Sequence, residues 1–167
     1  MKAIYLIGFM GAGKTTVGMA LAEKMRFPFY DSDQTVVERT GKSISELFDE
    51  MGEEGFRDLE QQALQSLPNE NCIIATGGGI ILREENREYM KESGTVIWLQ
   101  ANPTEIIKRL ENDSSRPLLS GNKEEQIVQL YQKRVDLYLL ASNFQVHTDG
   151  KTEIEITDEI LKKITLS

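Results

Sequence analysis

Five short apolar runs recur along the chain, and the longer segments between them carry apolar residues at helical spacing. The runs cover residues 3–7, 28–30, 72–76, 95–99 and 144–148. A strand that is apolar along nearly its whole length is typical of a parallel sheet covered by helices on both faces. The alternation therefore predicts an α/β fold, a three-layer sandwich with a five-stranded parallel sheet in the middle.

Helical spacing and capping signals mark the segments between the runs. We predict helices over residues 15–25, 44–51, 53–67, 103–111 and 123–140. Residues 43–46 form a capping box, and Asn102 followed by Pro103 is a typical helix start. The polar segment 112–122 contains Arg116 and joins the last two helices, so it is a candidate mobile lid.

Length and composition favour one globular domain. The 167 residues, of which 40% are hydrophobic, fit a single domain over residues 1–167. No apolar stretch reaches about 18 residues, so we expect no membrane span. The formal net charge of −8 argues against nucleic-acid binding, which needs a basic surface. Cys72 is the one cysteine and lies in an apolar run, which favours a buried thiol and a cytoplasmic location.

The first chemically distinctive segment follows the first predicted strand. The sequence GFMGAGKT at positions 8–15 fits the P-loop pattern at every fixed position, between a buried strand and an amphipathic helix. Its glycines let backbone N–H groups turn toward a phosphate, and we expect Lys14 to reach the β- and γ-phosphates and Thr15 to ligate Mg²⁺. A glycine-rich turn without catalytic meaning is the alternative. The residues assigned to the nucleotide phosphates are Gly11, Ala12, Gly13, Lys14, Thr15 and Thr16.

Two carboxylates, Asp31 and Asp33, come directly after the second predicted strand. The carboxyl edge of a parallel sheet is where ligands bind in such folds. One carboxylate could hold Mg²⁺ through water, and the other could accept a proton from an attacking hydroxyl. The alternative is that Asp31 or Asp33 only caps the next helix.

Two arginines occupy informative positions. Arg134 shares a helical stripe with Ile127, Tyr131 and Tyr138 that should face inward. A buried guanidinium needs a partner, and a structural ion pair with an acid at the edge of the core is one interpretation. Arg57 precedes Glu60 by three residues, so a surface ion pair worth only ~0.3 kcal/mol is one interpretation. The other interpretation is that both arginines converge on a substrate carboxylate, which a guanidinium binds with two hydrogen bonds.

Three consecutive glycines, Gly77, Gly78 and Gly79, follow Thr76 at the end of the third predicted strand. Such a segment allows a ligand to approach the backbone closely. This strand lacks the terminal acidic residue of a Walker B motif, so Mg²⁺ binding must depend on Asp31.

Taken together, these segments resemble the shikimate kinase family over nearly the whole chain. The resemblance rests on GFMGAGKTT (8–16), DSD (31–33), GKSISELF (41–48), GEEGFRDLE (52–60), TGGG (76–79), RPLL (116–119) and RVDLY (134–138). It implies a P-loop kinase fold with strand order 2-3-1-4-5, shikimate-binding helices at about residues 32–60 and the lid at 112–122. The implied activity is transfer of the ATP γ-phosphate to the 3-hydroxyl of shikimate, in the chorismate pathway to aromatic amino acids.

The resemblance also implies roles for individual residues. Asp33 would bind the substrate hydroxyls and act as base, while Arg57 and Arg134 would hold the carboxylate and Glu60 would orient Arg57. The remaining assignments are Gly77, Gly78 and Gly79 along the substrate ring, Arg116 at the phosphates, and Arg109 and Lys151 beside the adenine. Lys14, Asp33 and Arg116 are the expected catalytic groups. ATP and shikimate are the implied partners and Mg²⁺ the cofactor, and we expect a monomer.

One departure and two rival functions accompany this interpretation. The family often has an acidic residue before the threonine that ends the fifth strand, and this chain has His147 there. This departure affects only the expected contact with the adenine. A related small-molecule kinase, acting on gluconate or a nucleoside monophosphate, would not explain an inward Arg134 together with Arg57. A GTP-dependent switch is the other rival, but the NKEE segment at 122–125 lacks the aspartate of a guanine motif.

Overall fold

A five-stranded parallel sheet forms the centre of the computed structural model, which describes residues 1–111 and 123–166. The strands are β1 (Ala3–Ile7), β2 (Phe29–Asp31), β3 (Ile73–Ala75), β4 (Gly94–Gln100) and β5 (Phe144–His147). They lie in the order β2-β3-β1-β4-β5, and all four pairings between them are parallel. The predicted fold class and strand order are therefore confirmed, with strand ends within one or two residues of the apolar runs.

Seven helices and one short 3-10 turn, at Ile80–Leu82, belong to the described part of the chain. The helices are α1 (Lys14–Met25), α2 (Ser32–Thr40), α3 (Ile44–Ser66), α4 (Glu84–Ser93), α5 (Pro103–Leu110), α6 (Lys123–Ala141) and α7 (Glu153–Leu166). The apolar spacing did not predict α4 or α7. Helix α4 buries only Asn86 and Met90, and the buried stripe of α7 includes the polar Thr157, so neither has a continuous apolar face.

Helix α3 contains the two helices that the sequence predicts for this region. Ser43 caps its start in a capping box with Glu46, as expected. The helix is broken at Gly52, whose φ of 70° and ψ of −179° lie outside the helical range. Glycine is suited to this left-handed value because it has no Cβ. The break separates the two halves of α3, and the second half packs on α2 through Phe56 and Ala63.

Two apolar clusters position the functional residues. The larger one surrounds the sheet and includes Trp98 and Cys72, which are 2% and 0% exposed, as the sequence predicts. The smaller one joins α2 to α3 through Val36, Leu47 and Phe56. This second cluster fixes the α2–α3 pair beside the carboxyl ends of β2 and β3.

None of the helices in the described ranges is long and apolar enough to span a membrane.

Candidate active site

The loop between β1 and α1 has the geometry of a phosphate cradle. Gly11 and Gly13 have φ values of 79° and 91°, which side chains with a Cβ rarely adopt. Lys14 Nζ donates to the carbonyls of Gly8 and Phe9, at 2.7 and 3.0 Å, so the loop wraps around the ammonium group. A buried strand, a glycine-rich loop and the start of a helix thus occur in the order that the P-loop motif predicts.

Asp31 combines two functions that the sequence left as alternatives. Its Oδ1 accepts hydrogen bonds from the backbone N–H groups of Asp33 and Gln34, at 2.9 and 3.2 Å, and so caps α2. Its Oδ2 accepts a hydrogen bond from Thr15 Oγ1 at 3.2 Å. The capping interpretation is therefore right for Asp31, and the same carboxylate still presents an oxygen to the P-loop.

The Thr15–Asp31 pair has the donor chemistry that Mg²⁺ prefers. Hydroxyl and carboxylate oxygens are hard ligands, and Mg²⁺ in phosphoryl-transfer sites typically takes one or two such groups and completes its shell with phosphates and water. Within residues 1–111 and 123–166, no group of three or more His, Cys, Asp or Glu side chains could hold a metal ion. The pair therefore fits an ion that arrives with the nucleotide.

Arg57 and Glu60 form a buried ion pair on the second half of α3. Arg57 Nη1 lies 3.0 Å from Glu60 Oε2, and the two residues are only 5% and 1% exposed. The guanidinium also lies against the rings of Phe48 and Phe56, at 5.9 and 5.4 Å from their centroids. The interpretation of this pair as a weak surface contact is wrong, because the small α2–α3 cluster covers it. A pair desolvated in this way is costly to break.

Arg134 lies inward, as its helical stripe predicts. It is 2% exposed, and its guanidinium carbon lies 5.9 Å from the centroid of the Phe9 ring in the P-loop. The Nε atoms of Arg57 and Arg134 are both buried and have no hydrogen-bond partner in the part of the chain that the structure describes. Both arginines line one small cavity, together with Asp33 and Met10. The site thus brings two guanidinium groups together beside the phosphate loop.

The three glycines after β3 accommodate the protein's own charged groups. A Cβ on Gly77 would lie 2.6 Å from Asp33 Oδ1 and 2.7 Å from Glu60 Oε1. A Cβ on Gly79 would lie 2.5 Å from the Arg57 guanidinium. The expectation that these glycines only admit a ligand is therefore incomplete, because the segment is also where two carboxylates and a guanidinium pack against the backbone.

Burial changes the proton affinity of the Glu60 carboxyl group. Burial raises the pKa of Glu60 from its ordinary value of 4.5 to about 7, and the nearby charge of Asp33 adds to this increase. The positive charge of Arg57 acts in the opposite direction but is the smaller effect. The proton affinity of this carboxyl group is thus set by its depth beneath the site.

A cleft of about 960 Å³ extends from this small cavity across the P-loop. Arg109 and Lys151, which the sequence assigns to the adenine, both line it. Arg109 Nη1 donates to the carbonyl of Gly11 at 2.8 Å, and Lys151 Nζ lies 2.6 Å from Glu159 Oε2. Arg116 and the whole segment 112–122 lie outside the described residues. His147 is exposed at the end of β5.

Two site residues make contacts that the sequence did not predict. Ser32 Oγ accepts a hydrogen bond from Gly77 N at 3.1 Å. Only its neighbours Asp31 and Asp33 were predicted as individual site residues. Tyr138 donates to the carbonyl of Gly78 at 2.6 Å. Tyr138 was placed on the inward stripe of its helix, but the contact joins residues 60 positions apart and no local pattern indicates it.

A phosphate loop lies at the carboxyl edge of a 2-3-1-4-5 sheet, beside a pocket lined by two carboxyl groups and two guanidinium groups. This arrangement defines the class of P-loop small-molecule kinases. Within that class, the chain belongs to the shikimate kinase family, whose model matches residues 10–165. The resemblance that the motifs indicated is therefore confirmed, and with it an ATP-dependent kinase.

Individual relatives support the same membership. The shikimate kinase of Bacillus cereus strain AH187 is 44% identical over 164 residues, which cover 98% of this chain and 99% of the relative. The structure of the Acinetobacter baumannii shikimate kinase in complex with shikimate is similar with a TM-score of 0.95 and 36% identity, over 99% of this chain and 93% of that one. The Aquifex aeolicus shikimate kinase has a TM-score of 0.85 and 37% identity, over 98% and 96% of the two chains.

The raised pKa of Glu60 predicts a pH dependence of stability. A carboxyl group with a higher pKa in the folded than in the unfolded chain stabilises the fold fully below about pH 4.5, and this contribution is lost as the pH rises through about 7. The loss amounts to about 3 kcal/mol for this shift. Glu60→Gln removes the titrating group, so urea unfolding at pH 5 to 8 should show wild type losing stability relative to this variant as the pH rises.

Glu53→Gln is the matched control, because Glu53 is the half-exposed partner of the same arginine at 3.4 Å. The free energy of unfolding of Glu53→Gln should stay within about 0.5 kcal/mol of the wild-type value from pH 5 to 8. If the difference in the free energy of unfolding between wild type and Glu60→Gln does not change with pH, the pKa of Glu60 is not raised in the folded chain.

Proposed function

We propose that this chain transfers the γ-phosphoryl group of ATP to the 3-hydroxyl of shikimate, giving shikimate 3-phosphate and ADP on the chorismate route to aromatic amino acids. The observation that carries the proposal is the pairing of two buried guanidinium groups, Arg57 and Arg134, in a cavity beside the phosphate loop. Membership of the shikimate kinase family supports the same substrate.

The two arginines would hold the carboxylate of the substrate. A guanidinium binds a carboxylate with two parallel hydrogen bonds, and burial strengthens such charge-assisted bonds. Glu60 would orient Arg57 through the 3.0 Å ion pair, while the Phe9 ring supports Arg134 from the side of the P-loop. A site with two buried positive groups favours an acidic substrate over a neutral sugar.

Asp33 would bind the hydroxyl groups of the substrate and accept the proton of the attacking one. It lines both the small cavity and the larger cleft, and so lies where the acceptor and the nucleotide meet. Gly77, Gly78 and Gly79 line the same cavity and would form the side against which the substrate ring lies. Because these residues have no side chains, Asp33, Glu60 and Arg57 can pack close to this backbone and so lie beside the ring.

The P-loop would hold the triphosphate. Backbone N–H groups from Gly11 to Thr16 would bind the phosphates at the start of α1, and Lys14 would exchange the loop carbonyls for β- and γ-phosphate oxygens. Arg109 and Lys151 would flank the adenine. From the sequence resemblance, Arg116 in the lid segment would also reach the phosphates.

Mg²⁺ would be held by Thr15 directly and by Asp31 through water. When bound, it neutralises charge on the phosphate oxygens.

The reaction depends on positioning more than on a strong base. Phosphoryl transfer passes through a loose transition state in which negative charge spreads over the transferred group. Lys14 would stabilise that charge, while Arg57 and Arg134 fix the acceptor so that its hydroxyl points at the γ-phosphorus. Asp33 would take the hydroxyl proton as the new O–P bond forms and ADP leaves.

We also propose a cytoplasmic location and a monomeric state. The free, buried thiol of Cys72 suits a reducing compartment.

A coupled assay of ADP release tests the substrate directly. Shikimate, gluconate and nucleoside monophosphates are offered separately with ATP, and GTP replaces ATP in a parallel series. We expect turnover with shikimate and ATP alone. Turnover only with gluconate or a nucleotide would assign the chain to a related kinase, and tight GTP binding without ATP binding would favour a switch.

Asp33→Asn should lower kcat for shikimate phosphorylation by about 10²–10⁴, since the amide cannot accept the hydroxyl proton. ATP binding, measured by calorimetry, should stay close to that of wild type, because the P-loop is intact. Asp49→Asn, an exposed aspartate on α3, is the control and should leave kcat unchanged. A kcat of Asp33→Asn close to wild type would remove Asp33 from the catalytic groups.

Arg134→Ala should weaken shikimate binding by roughly 2–4 kcal/mol, because it removes one partner of a buried charge pair. The effect should appear in the KM for shikimate, with little change in the KM for ATP. Lys133→Ala removes an exposed positive charge from the same helix and should change neither constant. If the shikimate KM of Arg134→Ala equals that of wild type, Arg134 does not hold the carboxylate.

A further inference from the structure

The backbone of the three-glycine segment is held by side chains from two different elements. At its start, Ser32 Oγ at the head of α2 accepts from the N–H of Gly77 at 3.1 Å. At its centre, the hydroxyl of Tyr138 on α6 donates to the carbonyl of Gly78 at 2.6 Å. The segment therefore does not rest on turn geometry alone.

Tyr138 is built into the core as a fixed donor. It is 0% exposed, and its ring stacks on Trp98 with a centroid distance of 5.7 Å and an interplanar angle of 21°. A tyrosine hydroxyl at such depth needs a hydrogen-bond partner, and the Gly78 carbonyl supplies it. Burial raises the pKa of Tyr138 above its ordinary value, so the hydroxyl keeps its proton and remains a donor.

Arg134 lies one helical turn before Tyr138 and on the same face of α6. Both side chains reach the Gly78 peptide, Tyr138 through its hydrogen bond and Arg134 through its guanidinium. Gly78 lies between the guanidinium and the P-loop. A Cβ built on it would be 3.5 Å from Arg134 Nη1 and 3.3 Å from the backbone N of Met10. A small shift of the Gly78 peptide would therefore change the space available to the guanidinium.

We propose that Tyr138 is a positioning residue for the acceptor half of the site. By holding the Gly78 carbonyl, it fixes the distance between the Arg134 guanidinium and the phosphate loop. Tyr138 does not line either part of the cleft within the described residues, so it acts through Gly78 and Arg134 rather than by touching the substrate. The inference rests on the proposed function, because it assigns Arg134 to the substrate carboxylate.

Tyr138→Phe removes only the hydroxyl and keeps the stack on Trp98. Loss of one neutral hydrogen bond should raise the shikimate KM roughly five- to tenfold through the displaced Arg134. We expect kcat and the KM for ATP to stay within about twofold of wild type. Tm, measured in parallel, reports the general cost of the lost hydrogen bond.

Tyr5→Phe is the matched control for that general cost. Tyr5 is 1% exposed, and its hydroxyl bonds to Ser93 Oγ at 2.8 Å, at the opposite end of the sheet from the cleft. Tyr5→Phe should lower Tm by a similar amount to Tyr138→Phe without changing the shikimate KM. A shikimate KM that rises equally in both variants, or in neither, would overturn the inference.

A double-mutant comparison separates a route through Arg134 from a diffuse effect. In an Arg134→Ala background, Tyr138→Phe should change the shikimate KM by less than twofold, because the group that it positions is gone. The full five- to tenfold change in that background would overturn the proposed route. Should Tyr138→Phe not fold, Tyr138→Met makes the same test, since it also lacks the hydroxyl that donates to the Gly78 carbonyl. An unchanged shikimate KM would then count against the inference.

Failure of the inference and failure of the proposed function give different results. If the wild-type chain shows no ADP release with shikimate, the proposed function falls and the inference with it. If wild type turns over shikimate and Tyr138→Phe has the same shikimate KM, only the inference falls.

Discussion

The burial of two guanidinium groups at the carboxyl edge of the sheet is the constraint on which the acceptor half of the site depends. Buried positive charge is expensive unless anions, dipoles and aromatic rings surround it. Glu60 and the Phe48–Phe56 cluster do this for Arg57, and Phe9 does so for Arg134. An acidic ligand would add to this compensation, so the burial of the two guanidinium groups favours a carboxylate there.

Two glycine-rich segments meet at this edge and use the lack of a Cβ for different reasons. In the P-loop, Gly11 and Gly13 adopt φ values of 79° and 91° that direct the backbone around the Lys14 ammonium group. After β3, the need for glycine comes from packing. Carboxylates press on Gly77 and a guanidinium presses on Gly79 at distances that a Cβ would occupy. One segment therefore shapes the nucleotide cradle, and the other lets acid and base side chains assemble next to it.

The sequence predicted the parts of the molecule that depend on local pattern. The strands, the capping box at Ser43 and the P-loop lie where the sequence predicts them. Each of these features is determined by the types and spacing of a few neighbouring residues. Local pattern could not reveal how deeply the Arg57–Glu60 pair is buried, since that depth comes from the packing of α2 on α3. The hydrogen bond from Tyr138 to Gly78 depends on the sheet bringing α6 to the end of β3, and no spacing predicts it.

A structure with ADP and shikimate bound would show how the two arginines hold the acceptor. We expect the substrate carboxylate to accept hydrogen bonds from both Arg57 and Arg134, while a ring hydroxyl faces Asp33 and the P-loop. The Gly78 carbonyl should keep its hydrogen bond to Tyr138 in that complex. A carboxylate that meets only one of the two arginines, or that lies away from Gly77–Gly79, would show that the buried guanidinium pair does not bind it.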